Sequence, residues 1–231
     1  MEEIFKMKKI AIVTGSSLGI GAATALKLAS LDYYVFALSR DYEKLKNIAL
    51  KFPKNIEQYQ IDITNYDEVN IFFKYLNNLP VDVLINNAGG GTQHSNIEDM
   101  NTNLWKICYD TNVVASANMV KQCIPNFINN KKGNVIFITS TAANNFFPGG
   151  ANYSGTKMAE SILSKYLRSE LHTKNIKVTE ISPGTVNSRE NINKNALLPE
   201  DIANSISWLL SMPDYVNINL IDISHINNLS K

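Results

Sequence analysis

Cysteine is scarce in this 231-residue chain: only Cys108 and Cys123 occur, on one helical stretch and too far apart to bridge. That excludes a disulfide framework, and a reducing compartment, the cytoplasm, is the expected location. Both thiols read as small buried apolar residues. Histidine is nearly as rare. His94, His172 and His225 are scattered without metal-ligand spacing, so no metal site is expected. His94 follows NNAGGGTQ and reads as a loop-surface residue rather than a pocket wall. No apolar run reaches the ~18 residues that a membrane span needs. The opening MEEIFKMKKI is charged and carries no apolar stretch, against a secretory leader. Charge of either sign is also in short supply as an excess. Twenty-two basic residues face 21 acidic ones, giving a net charge of +1. With no basic tail or stripe, nucleic acid and anionic membrane are not expected partners.

What the chain does hold is core. Hydrophobic residues make up 45% and charged residues 19%, which excludes disorder. The length suits one α/β domain over residues 1–231. Apolar bursts alternate with helical patterns almost to the end. The periodicity predicts strands over 8–15, 33–39, 56–63, 81–89, 134–140, 176–184 and 216–223. Between them it predicts helices from Leu18 to Leu31, from Asp41 to Lys51, from Thr64 or Asn65 to about Asn77, from Thr102 to Asn129, from Tyr153 to Thr173, and over 199–211. Asp41 and Asn65 fit N-cap positions, and Pro199 opens its helix. Alternation of this kind implies a doubly wound, Rossmann-type parallel sheet of about seven strands with helices on both faces. Ligands of such sheets bind beyond the carboxyl ends of the strands, so residues just after strands carry the information.

The first strand ends in TGSSLGIG, residues 14–21. Gly15, Gly19 and Gly21 allow a tight turn. They also let backbone approach a pyrophosphate at a helix N-terminus, with Ser17, Leu18 and Ile20 around it. The spacing is not that of the wider dinucleotide fingerprint, and an ordinary strand–helix turn is the plainer alternative. Strand two ends in Ser39–Arg40–Asp41. Arg40 offers a planar fork suited to a 2′-phosphate, which favours NADP(H). The alternative is that Asp41 turns inward and reads a ribose hydroxyl, selecting NAD(H). Tyr153 and Lys157 stand at i and i+4 on one helix face. A neighbouring ammonium favours a phenolate, bringing a poor acid/base toward neutral pH. Ser140 closes the fifth strand, where its hydroxyl could bond a substrate oxygen or its own backbone. Asn112 could bend or cap its helix.

TGSSLGIG, NNAG (86–89), Asn112, Ser140, Tyr153-x-x-x-Lys157 and SPG (182–184) stand in this order and spacing. Together they resemble the short-chain dehydrogenase/reductase family, in its single-domain branch, over nearly the whole chain. The resemblance implies hydride transfer between a nicotinamide and a carbonyl or alcohol such as an aldehyde, ketone or hydroxy acid. It makes Tyr153 the proton donor in reduction, and Lys157 the residue that binds the nicotinamide ribose and lowers the tyrosine pKa. It makes Ser140 the group that polarises the carbonyl, and Asn112 the holder of a relay water. Asp62 and Ile63 fall where the adenine is contacted, Asn87 and Ala88 along the cofactor, and Val186 and Ser188 at the carboxamide. The helices around 102–129 and 153–173 would pair with a second copy, giving a homodimer or homotetramer.

Three departures matter. The segment between Ser188 and Pro199 is short, so the substrate cover should be slight. The ending VNINLIDISHINN lacks a Gly-rich stretch. No basic residue occupies Ser16–Ser17–Leu18, where some NADP(H) users carry one. The first two argue against a ketoacyl-carrier reductase, the nearest rival. A non-catalytic NADP(H)-binding sensor is the rival of another class. The presence of both Tyr153 and Lys157 weighs against it.

Overall fold

A computed structural model describes residues 8–77, 79–91, 94–187 and 193–228. Its strands are β1 (Ile10–Thr14), β2 (Tyr34–Ser39), β3 (Ile56–Gln60), β4 (Val81–Asn86), β5 (Gly133–Ile138), β6 (Ile176–Pro183) and β7 (Leu220–Ile223). All seven join one sheet in the order β3-β2-β1-β4-β5-β6-β7, and every pairing is parallel. The chain works outward from β1 to one edge, then returns and works outward from β4 to the other. The switch between β1 and β4 opens a crevice at the strand carboxyl ends.

The helices are α1 (Gly19–Ser30), α2 (Tyr42–Ala49), α3 (Tyr66–Tyr75), α4 (Thr102–Tyr109), α5 (Ala115–Asn130), α6 (Ala151–Leu171) and α7 (Pro199–Leu210). They cover both faces, which is why the central strands are apolar at nearly every position rather than at alternate ones. Successive residues of a strand still go to opposite sides. Ile12, Phe36, Leu84, Val135 and Val178 pack with Val69 and Phe72 of α3, Met119 and Phe127 of α5, and Leu167 of α6. Ala11, Val13, Ala37, Ile85 and Ile136 pack with Leu28 of α1, Leu45 of α2, and Ile202 and Ile206 of α7.

Helix ends follow the expected chemistry. Asp41 Oδ1 accepts from Lys44 N at 3.1 Å, and Asn65 Oδ1 accepts from Asp67 N at 3.0 Å. Pro199 is the first residue of α7. The helix expected over 102–129 departs from a regular one. Between α4 and α5 the chain widens into a π-helical turn, Asp110–Val114, with Asn112 fully buried inside it. The two edge strands are shorter than the periodicity predicts. β2 ends at Ser39, paired with Gln60; Ile61 N makes the last bond, to Ser39 O at 3.0 Å, and Ile61 and Ile63 then turn into the core. Before β7, the Asn217 side chain takes Val178 N at 2.9 Å and so displaces backbone pairing.

Candidate active site

The first turn is built by close approach. Gly15 has φ +68°, and a side-chain carbon there would stand 2.9 Å from Ala88 Cα. At Gly21 the same carbon would meet Gly15 O at 2.3 Å, so only glycine lets α1 settle on the loop. Thr14 and Asn87 lock the loop to β4. Thr14 Oγ1 accepts from Asn87 N and Ala88 N at 2.9 Å each, and Asn87 Nδ2 donates to Thr14 O at 2.8 Å. Helix α1 begins at Gly19 with no side-chain cap and no acidic residue in its first turn. Its first N–H groups are therefore offered to an anion from outside.

The loop forms one end of a cavity of about 800 Å³. Gly15, Ser17, Leu18, Gly19, Ile20, Arg40, Asp62, Ile63, Asn87 and Ala88 line it, and so do Ser140, Tyr153, Lys157 and Val186. Gly21 lies behind the loop and shapes it, as its close contacts show. Ser188 lies outside the described residues. Asn112 does not reach the cavity wall. Its Oδ1 accepts from Gly90 N at 2.8 Å, and its Nδ2 donates to Gly90 O at 3.1 Å and Thr156 Oγ1 at 2.8 Å. It clamps the glycine strip that forms the cavity floor. A side chain at Gly89 would collide with Asn112 Oδ1 at 2.3 Å.

At the outer end Arg40 is exposed, and its guanidinium meets no hydrogen-bond or ion-pair partner among the described residues. Asp41 is already engaged: Oδ1 caps α2, and Oδ2 pairs with Lys44 Nζ at 2.9 Å. Asp62 is also committed, with Oδ1 accepting from Thr64 N at 3.0 Å and Thr64 Oγ1 at 2.8 Å.

At the inner end β5 delivers Ser140, whose Oγ accepts from Ala142 N at 3.1 Å and donates to Pro183 O at 3.4 Å. Helix α6 delivers Tyr153 and Lys157, with the ammonium 6.0 Å from the phenol ring centre. Lys157 Nζ donates to Ile138 O at 2.9 Å and pairs with Glu160 Oε2 at 2.6 Å. Burial works against the Lys157 charge, but Glu160 first, with Tyr153 and Cys108, together outweigh it, and the ammonium holds its proton more tightly than an ordinary lysine. His94 is exposed yet lines this cavity, its ring edge-on to Phe147 at 5.5 Å. The sequence reading as a plain surface residue is thus incomplete. The signal was its place just after the strand-four turn. The described arms of the segment after β6 are stitched together by Asn187 N to Leu197 O at 2.8 Å and Leu197 N to Thr185 O at 2.9 Å. Among the described residues, no group of three or more His, Cys, Asp or Glu is placed to hold a metal. No described helix is long and apolar enough to cross a membrane.

Comparison with known proteins agrees with this geometry. Residues 9–197 match the family described as short chain dehydrogenase. A serine 3-dehydrogenase of Agrobacterium fabrum (strain C58 / ATCC 33970) is 30% identical over 236 residues, covering 94% of this chain and 93% of its own. An NADP-dependent 3-hydroxy acid dehydrogenase of Salmonella typhi is 28% identical over 235 residues, covering 93% of this chain and 94% of its own. The closed form of a serine dehydrogenase complexed with NADP+ superposes with a TM-score of 0.89 at 25% identity, covering 95% of this chain and 96% of its own. The chain belongs to the short-chain dehydrogenase family and is an oxidoreductase acting on the hydroxyl–carbonyl couple.

Proposed function

We propose that the chain is an NADP(H)-dependent dehydrogenase/reductase for small 3-hydroxy acids and the corresponding 3-oxo compounds. One observation carries this reading: Ser140, Tyr153 and Lys157 open onto the same cavity whose other end is the Gly15–Gly21 loop and Arg40, which has no partner among the described residues. The residues fit the cofactor. The loop leaves no room for side chains where a pyrophosphate would lie, and Arg40 offers a fork to a 2′-phosphate while Asp41 is occupied elsewhere. The bound nicotinamide supplies or accepts the hydride.

The chain's own residues handle position and the proton. Tyr153 gives its phenolic proton to the carbonyl oxygen in reduction and takes it back in oxidation. Lys157, fixed by Ile138 O and Glu160, keeps a positive charge beside the phenol and favours the phenolate. Ser140 donates to the same substrate oxygen as charge develops there. Asn112 holds the glycine strip against the cofactor side of the cavity. His94, on the wall near Tyr153, faces the carboxylate of a hydroxy acid. The substrate class rests on the two named relatives together with this histidine.

The partner of the fold is a second copy. Ile107, Tyr109 and Val114 on α4 and its π turn, with Met158, Ile162 and Tyr166 on α6, are all exposed. Such an apolar helical face suits a homodimer or homotetramer. The free buried thiols of Cys108 and Cys123 suit the cytoplasm.

Titration with NADPH and NADH, followed by turnover of L-serine, 3-hydroxybutyrate and 3-hydroxypropionate, tests the reading. Tighter binding of NADPH with oxidation of one of these acids is expected. Binding without turnover of these acids or of a panel of aldehydes and ketones would point to a cofactor sensor instead.

A further inference from the structure

Glu160 stands one helical turn after Lys157, outside the cavity wall, with its side chain 1% exposed. A carboxylate so deep in a protein is costly unless it has partners, and this one has two. Oε2 lies 2.6 Å from Lys157 Nζ, and Oε1 accepts from Ser116 Oγ of α5 at 3.1 Å. An ammonium has three N–H donors. Ile138 O takes one of them at 2.9 Å, while Glu160 Oε2 holds the ammonium as an ion pair. The proton transfer as described needs Lys157 but makes no direct use of Glu160.

We infer that Glu160 is a positioning residue for the reaction: its carboxylate tethers the Lys157 ammonium from behind the cavity wall and shares the charge that Lys157 would otherwise present undivided to the Tyr153 phenol. The inference rests on the roles proposed above for Tyr153 and Lys157. It sets how strongly the phenol is acidified. A bare ammonium would favour the phenolate more than an ammonium already paired with a carboxylate. Other charged or titratable groups face this pair. Tyr153 lies on α6, Cys108 on α4 and Glu180 on β6, with Arg168 in turn acting on Glu180. Glu180 does not compete for Lys157. It is satisfied by the hydroxyls of Thr139 at 2.8 Å, Ser161 at 2.9 Å and Ser164 at 3.4 Å. Burial pushes the Glu160 carboxyl up and Glu180 adds to this, while Lys157 and Ser116 act against it.

The test follows Tyr153 itself and needs no substrate. Phenolate absorbance is titrated by ultraviolet difference in the parent and in Glu160→Gln, each against the same protein carrying Tyr153→Phe. The Tyr153 midpoint should fall by about one pH unit, a roughly tenfold gain in phenolate on the acidic side. The acid limb of kcat/KM for NADP+-dependent oxidation of L-serine or 3-hydroxybutyrate should move the same way, and Glu160→Asp should restore part of the shift. An unchanged midpoint, with only lower thermal stability or a uniform loss of rate, would make Glu160 a structural pair partner. An upward shift would overturn the inference equally. A shifted midpoint without turnover supports the role of Glu160 and counts against the substrate class alone. Should Glu160→Gln not fold, Ser116→Ala removes the second partner and should move the midpoint down by less; no movement would overturn the inference.

Discussion

Replacing Arg40 by alanine should separate the two nicotinamide cofactors, and the structure supplies the size of the effect. The guanidinium stands at the cavity mouth with no partner among the described residues, so its removal breaks nothing within the protein. The one local bond at this position, from Gln60 Nε2 to the Arg40 carbonyl at 2.9 Å, belongs to the backbone and survives. Folding stability should therefore change by less than about 0.5 kcal/mol. What is lost is a charge-assisted contact to a 2′-phosphate, worth about 1.5–3 kcal/mol, or about ten- to a hundredfold in NADPH affinity. NADH carries no such phosphate and should bind almost unchanged. Nicotinamide fluorescence titrated with both cofactors measures the ratio directly. Added salt should shrink it, because the site is open to solvent. Equal weakening of both cofactors would refute the assignment. Selective loss of NADH would mean that Asp41 leaves its cap on α2 to read the ribose.

Tyr153→Phe should abolish turnover of every substrate while NADPH affinity stays within about twofold; residual turnover near the parent rate would remove the phenol from the chemistry. Lys157→Met strands a buried carboxylate and should cost about 3 kcal/mol of stability at neutral pH, with Glu160→Leu added to it restoring much of the loss in denaturant melts. Gly21→Ala drives a methyl to 2.3 Å from Gly15 O, so a loss of about 1–3 kcal/mol together with weakened cofactor binding is expected in thermal and fluorescence assays. His94→Phe keeps the ring contact with Phe147 but removes the imidazole, and should raise KM for a hydroxy acid while sparing an uncharged alcohol. Away from the site, Tyr34 and Tyr75 each donate to Glu57 at 2.6 Å, and the Tyr75 phenol is pushed up to about 12, first by that bond. A raised folded-state pKa stabilises below the unfolded value near 10 and fades as pH climbs through the folded one, so melts should show stability falling between about pH 10 and 12. Glu57→Gln should flatten that decline.

The sheet, the glycine loop and the Ser140–Tyr153–Lys157 line were legible because each leaves a local mark. Buried parallel strands are continuous apolar runs, and glycines crowd where backbone meets backbone. Asp41 and Asn65 could be read as caps because a short acceptor before an apolar helix has one economical use. Other features have no local mark. A π turn changes hydrogen-bonding partners without changing composition, so the segment around Asn112 read as ordinary helix. Glu160 carries no local mark either, since its burial depends on Ser116, 44 residues earlier in the chain, and on how α5 packs against α6. The ends of β3 and β7 failed because they depend on the neighbouring strand: β3 stops where β2 stops, and β7 starts late because the Asn217 side chain takes Val178 N, and no pattern within either strand records that.

The widened turn between α4 and α5 also acts as a phase marker. An α-helix turns about 100° per residue. Deleting any one residue of Asp110–Val114 would let the two helices fuse into a regular one, at the cost of rotating α4 by about that angle against α5. Met119, Cys123 and Phe127 would keep their places under the sheet, while Cys108 would swing out of the interior and the Asn112 clamp would leave Gly90. A change of length here is therefore worse than most changes of residue. Lineages of this enzyme should tolerate substitutions at Thr111 or Val113 far more readily than a single missing codon between them.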